Sequence, residues 1–134
     1  MKQQIVICKK TGVIICTSGC EGKRHDFQLL IDSKVRFQKG TFCLGDSGYQ
    51  GIITLHSNSL IPHKKPKKKE LVKLQKIYNQ MLSSARVKVE NVLAWLKRFR
   101  IITERYRNRR KRFGLRFNLI AGIYNFELKR KISL

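Results

Sequence analysis

The sequence predicts a mixed α/β protein in which the strands come first and the long helices last. Two β-branched runs, residues 4–8 and 13–17, flank the turn-forming segment 9–12, which predicts a β-hairpin. Residues 70–102 contain neither Gly nor Pro, and their apolar residues recur at helical spacing. This pattern predicts one long helix, or two helices with a break near Ser83-Ser84.

Shorter elements are predicted on either side of the long helix. Asp26 precedes a mainly apolar run and can cap a short helix. Residues 41–44 and 59–61 are predicted to be short strands, and the mostly apolar residues 115–128 a final packing helix. The lysine-rich run 62–69 carries both prolines and is expected to be a flexible loop. The pattern lacks a further long strand to centre the sheet.

The composition indicates a polyanionic partner. Thirty Lys and Arg residues stand against eight Asp and Glu, which gives a formal net charge of +22. A compact chain with this surplus repels itself unless a polyanion neutralises it, and nucleic acid is the commonest polyanion. An anionic membrane is the competing partner, but no long basic amphipathic helix with bulky apolar anchors stands alone. Secretory segments need roughly 7–15 apolar residues and membrane spans about 20, and neither is found. We therefore expect a cytoplasmic, nucleoid-associated protein that binds DNA and no membrane.

The four cysteines raise the question of a metal site. Cys16, Cys20 and His25 are close in sequence and suggest zinc ligands. No Cys-x-x-Cys pair is present, however, and Cys8 and Cys43 fall inside runs that are predicted to be strands. We expect reduced, partly buried thiols.

Acidic residues are scarce, so their positions are informative. Asp46 closely follows the predicted strand 41–44 and precedes Gly48-Tyr49-Gln50-Gly51. α/β folds place ligand chemistry at the C-terminal ends of strands, and glycines let the backbone turn sharply beside a ligand. The alternative interpretation is an ordinary Asp-Ser-Gly turn.

A second acid, Glu90, lies within the predicted long helix. At 100° per residue, Arg86, Glu90 and Lys97 fall within about 40° of arc and share one helix face. An apolar stripe beside them places Glu90 at the border of the buried face; its members are Val89, Val92, Leu93, Leu96 and Phe99. Glu90 is either a metal-ligating carboxylate between two phosphate-binding cations or one half of a helix salt bridge with Arg86.

Phosphodiester chemistry explains why such a set would exist. Carboxylates hold two Mg²⁺ ions roughly 3.5–4 Å apart, and the ions activate the attacking oxygen and stabilise the leaving one. Neighbouring Lys and Arg side chains bind the DNA backbone. Two carboxylates are marginal for this purpose, and three are expected.

These features together resemble the DDE transposases of bacterial insertion sequences, most closely the group called insertion-sequence family five. An Asp-x-Gly-Tyr motif at Asp46 precedes an Arg-x3-Glu-x6-Lys motif that begins at Arg86. Each motif is weak alone, but in this order they are specific. The resemblance covers nearly the whole chain and is carried by residues 22–27, 45–52, 62–66, 84–92, 96–99, 106–113 and 115–128.

The resemblance implies a partial ribonuclease-H-like fold made of a β-hairpin, a short helix, a strand and long C-terminal helices. It implies that Asp46 and Glu90 are catalytic carboxylates that ligate Mg²⁺ or Mn²⁺. Arg86 and Lys97 match the family's basic residues on either side of the Glu. His25-Asp26 matches a further family motif, in which we interpret Asp26 as the helix cap. Ser83 replaces a Tyr that some relatives carry.

The departure from the family concerns the first catalytic Asp. In the family it lies on a central strand upstream of the segment that matches the start of this chain. We therefore expect residues 1–134 to be a truncated DDE transposase catalytic domain without its first strand or an N-terminal DNA-binding domain. We expect the chain alone to bind metal weakly or not at all and to be inactive. The chain is either a pseudogene product or half of a split transposase that pairs with an upstream-encoded half. Its partners could also include further copies of itself in a homo-oligomer.

Two basic clusters are expected to bind the DNA backbone. The first comprises Lys64, Lys65, Lys67, Lys68 and Lys69 in the loop. The second comprises Arg105, Arg107, Arg109, Arg110, Lys111 and Arg112, with Tyr106 and Phe113 interleaved. Arginines make bidentate phosphate contacts and aromatic rings stack on splayed bases. For sequence specificity we favour the plainer interpretation, a solvated surface that does not distinguish bases.

Two other classes of protein compete with the transposase. A non-catalytic basic nucleic-acid-binding protein, such as a ribosomal or nucleoid protein, shares the small size and charge. That class gives no reason for Asp46 after a strand or for Glu90 between Arg86 and Lys97. A small zinc protein is the other alternative.

Overall fold

The computed structural model describes residues 1–103 and 112–133 and confirms the mixed α/β arrangement with long C-terminal helices. The chain divides into two compact units. The first unit comprises residues 1–24 and 87–134, and the second comprises residues 25–86. The elements in chain order are β1 (Lys2–Ile7), β2 (Ile14–Cys20), α1 (Asp26–Asp32), β3 (Cys43–Leu44), α2 (Ile52–Leu55), β4 (Ser59–Leu60), α3 (Lys73–Leu96), α4 (Arg100–Thr103) and α5 (Phe113–Ser133).

The predicted hairpin is confirmed and opens the first unit. β1 and β2 pair antiparallel, and Gly12 takes φ +80° in the turn between them, a conformation that favours glycine. Lys2 is paired with Cys20, so β2 continues three residues beyond the predicted run 13–17. Cross-strand hydrogen bonds to β1 hold this extension although it contains Ser18 and Gly19, which are poor strand formers.

A helix on the hairpin completes the core of the first unit. Asn125 of α5 pairs with the backbone of Ile14: its Oδ1 accepts the Ile14 N–H at 2.8 Å and its Nδ2 donates to the Ile14 carbonyl at 2.9 Å. The side chain thus satisfies both polar groups of a strand residue, as a further strand would. The buried residues of this core are Ile14, Val92, Leu96, Ile102, Phe113, Phe117, Ile120 and Ala121.

The long helix α3 is unbroken at Ser83-Ser84, so of our two alternatives the single helix over this region is correct. The interruption comes later, at residues 97–99, before the short helix α4. Trp95 packs against Phe99 and Tyr124, with ring centroids 5.5 and 5.2 Å apart, so its indole is part of the packing of this unit.

The second unit begins with α1 and contains a small parallel sheet. β3 pairs with β4 in parallel, and both predicted strands are therefore present. The prediction that Asp26 caps α1 is wrong by one position. The N-cap is His25, whose side chain makes no capping bond, and Asp26 is the first helical residue. An acid in the first turn still favours the helix through the macrodipole.

Within the described ranges, no helix is both long enough and apolar enough to cross a membrane.

Candidate functional site

Asp46 lies where the sequence predicted, just beyond the end of β3. Its backbone is extended, and its Oδ1 accepts the backbone N–H of Gly48 at 2.8 Å, which opens a single 3₁₀ turn over Ser47–Tyr49. The alternative interpretation, an Asp-Ser-Gly turn, therefore describes the local structure correctly. The turn fixes the direction of the carboxylate, and a carboxylate has acceptor capacity beyond one hydrogen bond. A turn residue and a ligand are thus compatible roles for Asp46.

A second carboxylate lies beside this turn. A Cβ atom built on Gly48 would lie 2.5 Å from Oδ2 of Asp26 and 3.1 Å from Oδ1 of Asp46. Position 48 must therefore be glycine for both acids to keep these positions. The sequence pattern predicted a helix cap at Asp26 and left this residue outside the site. The signal that could have included it is the His25-Asp26 motif, since the structure brings that motif next to the one that begins at Asp46.

Tyr49 reports the electrostatics of this pair. Burial raises the pKa of its phenol, and the negative charges of Asp26 and then Asp46 raise the pKa further, because both oppose a phenolate. Both carboxylates therefore act on the same half-buried side chain. Concentrated negative charge of this kind is what a divalent cation neutralises best.

Gly51 allows the His25-Asp26 motif and the motif that begins at Asp46 to pack closely. Its φ of +98° is a left-handed conformation, and a Cβ atom there would lie 3.0 Å from Cε1 of Phe27. The ring of Phe27, next to Asp26 in sequence, thus lies close to the backbone that follows Tyr49. Ile52, which begins α2, is buried. Packing therefore holds Asp26 and Asp46 close together against the repulsion between their like charges.

The second set of predicted residues lies on α3. Arg86 and Glu90 are one turn apart on this helix. Lys97 directly follows the helix, and its N–H donates to the Leu93 carbonyl at 3.0 Å, so it continues the last turn. The predicted apolar stripe is confirmed at Val92 and Leu96, which are buried. Glu90 and Lys97 are exposed and Arg86 is half-buried. Asp46 and Arg86 belong to the second unit and Glu90 to the first.

The lysine cluster of residues 64–69 is exposed and forms no helix or strand, as predicted. Its start is anchored to α3. Asn79 accepts the His63 N–H through Oδ1 at 2.7 Å and donates through Nδ2 to the His63 carbonyl at 2.9 Å. The rings of His63 and Tyr78 lie 5.0 Å apart. The lysines are therefore presented from a fixed point at the N-terminal half of α3.

The arginine cluster is described only in part. Arg112 is exposed immediately before α5. Arg105, Arg107, Arg109, Arg110 and Lys111 lie outside the described residues.

The cysteines are free thiols, all four of them partly buried, as predicted. Burial raises the pKa of Cys16 and of Cys43. In residues 1–103 and 112–133, no three His, Cys, Asp or Glu side chains are grouped so that they could hold a metal ion.

Comparison with known proteins identifies the family. A model of the DDE superfamily endonucleases matches residues 1–125. The chain belongs to this family. It is also 50% identical over 131 residues to the probable transposase for insertion sequence element IS702 of Microchaete diplosiphon. The match covers 98% of the chain and 48% of the relative, so the chain spans about half of that transposase.

No solved structure matches the chain significantly. The DDE family assignment confirms the resemblance inferred from the two motifs and disfavours the non-catalytic alternative. Asp26, Asp46 and Glu90 all lie inside the matched segment.

Proposed function

We propose that this chain is a partial DDE transposase catalytic domain which, with the remaining half of the protein, cleaves DNA strands and transfers them to a new site. The observation that carries the proposal is the placement of Asp46. It follows a strand, its carboxylate is oriented by Gly48, and it lies in a chain that belongs to the DDE endonuclease family. Half of the matched transposase lies outside this chain.

Asp46 and Glu90 are proposed as the carboxylates that hold the metal in the intact enzyme. Their hard oxygen donors suit Mg²⁺ or Mn²⁺. When bound, such an ion lowers the pKa of a bound water or hydroxyl and stabilises the leaving oxygen. The remaining half is proposed to supply a third carboxylate together with the central strand of a ribonuclease-H-like fold. The order of hairpin, short helix, strand and long helices supports that fold.

Asp26 is proposed to act through Asp46. Its carboxylate lies against the same glycine and strengthens the negative potential at the turn. An added negative charge favours cation binding at Asp46 without requiring Asp26 to be a ligand. Replacing Asp26 by Asn should therefore raise the Mg²⁺ concentration that the reaction needs. Replacing Asp46 should abolish the reaction.

The cations are proposed to hold the DNA. Arg86 and Lys97, on either side of Glu90 on one helix face, would bind the phosphates next to the reacting one. The lysine cluster, Arg112 and the proposed contacts at Arg107, Arg109 and Arg110 would bind the backbone further away. Backbone contacts of this kind are independent of base sequence and depend steeply on salt.

The test is a strand-transfer assay with the chain fused to the part of the IS702 transposase that lies outside the match. The fused protein should cleave and join DNA carrying the element's ends in Mg²⁺, and the 134-residue chain alone should not. Asp46→Asn and Glu90→Gln should each reduce transfer at least a thousandfold. Asp32→Asn and Glu127→Gln remove acids elsewhere and should retain it. Transfer that survives both site substitutions, or Mg²⁺-dependent nicking by the chain alone that Asp46→Ala removes, would contradict the proposal.

A further inference from the structure

The helix α5 is apolar on two opposite faces. One face is the core face already described, with Phe117 fully buried. The opposite face carries Leu115, Leu119 and Phe126, which are 72%, 66% and 64% exposed. Large apolar side chains grouped on one exposed face are a recognised mark of an interaction surface.

The spacing of this face is that of a helix-pairing seam. Leu115, Leu119, Gly122 and Phe126 follow one another at intervals of four, three and four residues, the alternation that keeps apolar residues against a partner helix. Ile123, also exposed, widens the stripe on one side. We call Leu115, Leu119, Gly122, Ile123 and Phe126 the α5 seam.

Gly122 is the informative member. A Cβ atom built there would meet none of the described residues within 4 Å, so the described part of the fold does not require glycine at this position. Glycine is a poor choice for a helix interior, by about 1 kcal/mol relative to alanine. Its position in the middle of an exposed apolar seam fits a role in which a partner's backbone approaches closely.

We propose that the α5 seam docks an amphipathic, acid-flanked helix from the half of the transposase that lies outside this chain. The inference rests on the proposed function, since it names the partner as the rest of the same enzyme. About half of the matched relative lies outside the segment that this chain matches, which is length enough for a helix that covers the seam.

Charge favours this occupant over a second copy. Each copy carries a net charge of +22, so two copies repel each other on approach. Arg112 and Arg130 lie near the two ends of the seam, on the same side of it by the helical repeat, and α5 contains one acid, Glu127. A partner helix with acidic residues beside its apolar stripe would neutralise this flank and set the pairing direction.

The test is co-expression of the tagged 134-residue chain with the unmatched part of the IS702 transposase, followed by capture and titration of the complex. Leu115→Gln/Leu119→Gln/Phe126→Gln should abolish capture. Leu74→Gln/Met81→Gln, a change at two exposed apolar residues of α3, should retain it. Because a triple variant can misfold, Gly122→Gln provides an independent test and should weaken association at least tenfold without lowering the melting temperature.

The matched control for Gly122→Gln is Gly114→Gln. Gly114 lies on the same helix and faces about 120° away from the seam. Among residues 1–103 and 112–133, a Cβ atom at Gly114 also meets nothing within 4 Å. Equal weakening by both glycine variants, or capture that survives the triple change, would overturn the proposal. A wild-type homodimer that dissociates on the triple substitution would also overturn the proposal, because the seam would then bind a second copy.

The strand-transfer assay separates the two proposals. If the complex forms through the seam but transfers no DNA, the docking surface is supported and the proposed activity is rejected. If the fused protein transfers DNA but capture is unaffected by the seam substitutions, the proposed activity is supported and the docking surface is rejected.

Discussion

Asp26 and Asp46, which lie far apart in the sequence, direct carboxylate oxygens at the same point beside Gly48. This juxtaposition brings together two motifs that a linear search treats as separate. It depends on a glycine with no room for a side chain, on the ring of Phe27 over Gly51, and on a turn closed by Asp46 itself.

Alanine at position 48 should couple energetically to Asp26. The added Cβ would lie 2.5 Å from Asp26 Oδ2, so Gly48→Ala should destabilise the protein until that carboxylate is removed. In a double-mutant cycle with Asp26→Ala, we expect a coupling of about 1 kcal/mol in the free energy of unfolding. Denaturant melts of the four proteins measure it. Gly22→Ala is the control, since a Cβ atom at Gly22 meets nothing within 4 Å. A coupling of zero would mean that the two positions are not in contact.

The sequence predicted the strand before Asp46 and the helix around Glu90 because both are local. A short, mostly apolar run indicates the first, and a long stretch without Gly or Pro indicates the second. The neighbour of Asp46 could not be predicted in this way. An acidic residue before an apolar run is ordinarily a helix cap. Only the packing of α1 on the turn over Ser47–Tyr49 shows that the Asp26 carboxylate lies beside Gly48 instead.

The division into two units could not be predicted from the sequence either. Helix α3 runs without interruption through the boundary at residues 86 and 87, so neither a glycine nor a proline marks it. The extension of β2 to Cys20 is a similar case. Ser18 and Gly19 are poor strand formers whose conformation comes from their partners on β1.

Removing the Asn125 side chain should weaken the first unit strongly. Its amide serves both polar groups of Ile14, a buried residue. Asn125→Ala leaves both without that partner, and we expect a loss of about 2 kcal/mol in the free energy of unfolding. Asn118→Ala is the control because Asn118 is exposed and bonds a side chain, Thr17, instead of the backbone. Urea melts check this; equal losses for the two variants would contradict the edge-pairing role.

Tyr49 should make the protein sensitive to alkali. Its pKa in the folded state is raised above the ordinary value of 10.0 by burial and by the two acids. A group with a raised folded pKa contributes stability that is present below its unfolded pKa and is lost as pH rises above it. Stability should therefore fall from about pH 10 upward, and Tyr49→Phe should reduce that slope. The measurement is the urea midpoint from pH 8 to 11. Since burial also raises the pKa of Tyr124, part of the slope should persist. An unchanged slope in Tyr49→Phe would show that the phenol titrates normally.

DNA affinity should depend on the lysine cluster through charge. For each DNA phosphate that the protein no longer neutralises, the slope of log K against log salt becomes shallower by about 0.9. Replacing Lys64, Lys65, Lys67 and Lys68 with Gln should therefore flatten the salt dependence and weaken binding to all duplex sequences alike. The charge-matched control replaces Lys9, Lys10, Lys34 and Lys39, which are exposed and lie outside the cluster. Fluorescence anisotropy across a salt series distinguishes them, and equal slopes for the two variants would contradict a localised DNA surface.

The central claim is that Asp46 and Glu90 serve one metal site in the assembled transposase, and iron-directed cleavage tests it most directly. In the fused protein, Fe²⁺ replacing Mg²⁺, with ascorbate and peroxide, should cut the polypeptide near residue 46 and near residue 90. Asp46→Asn should suppress both cuts, and Glu90→Gln should do the same. Cuts near one residue that persist when the other is substituted would show that the two carboxylates do not hold a common ion.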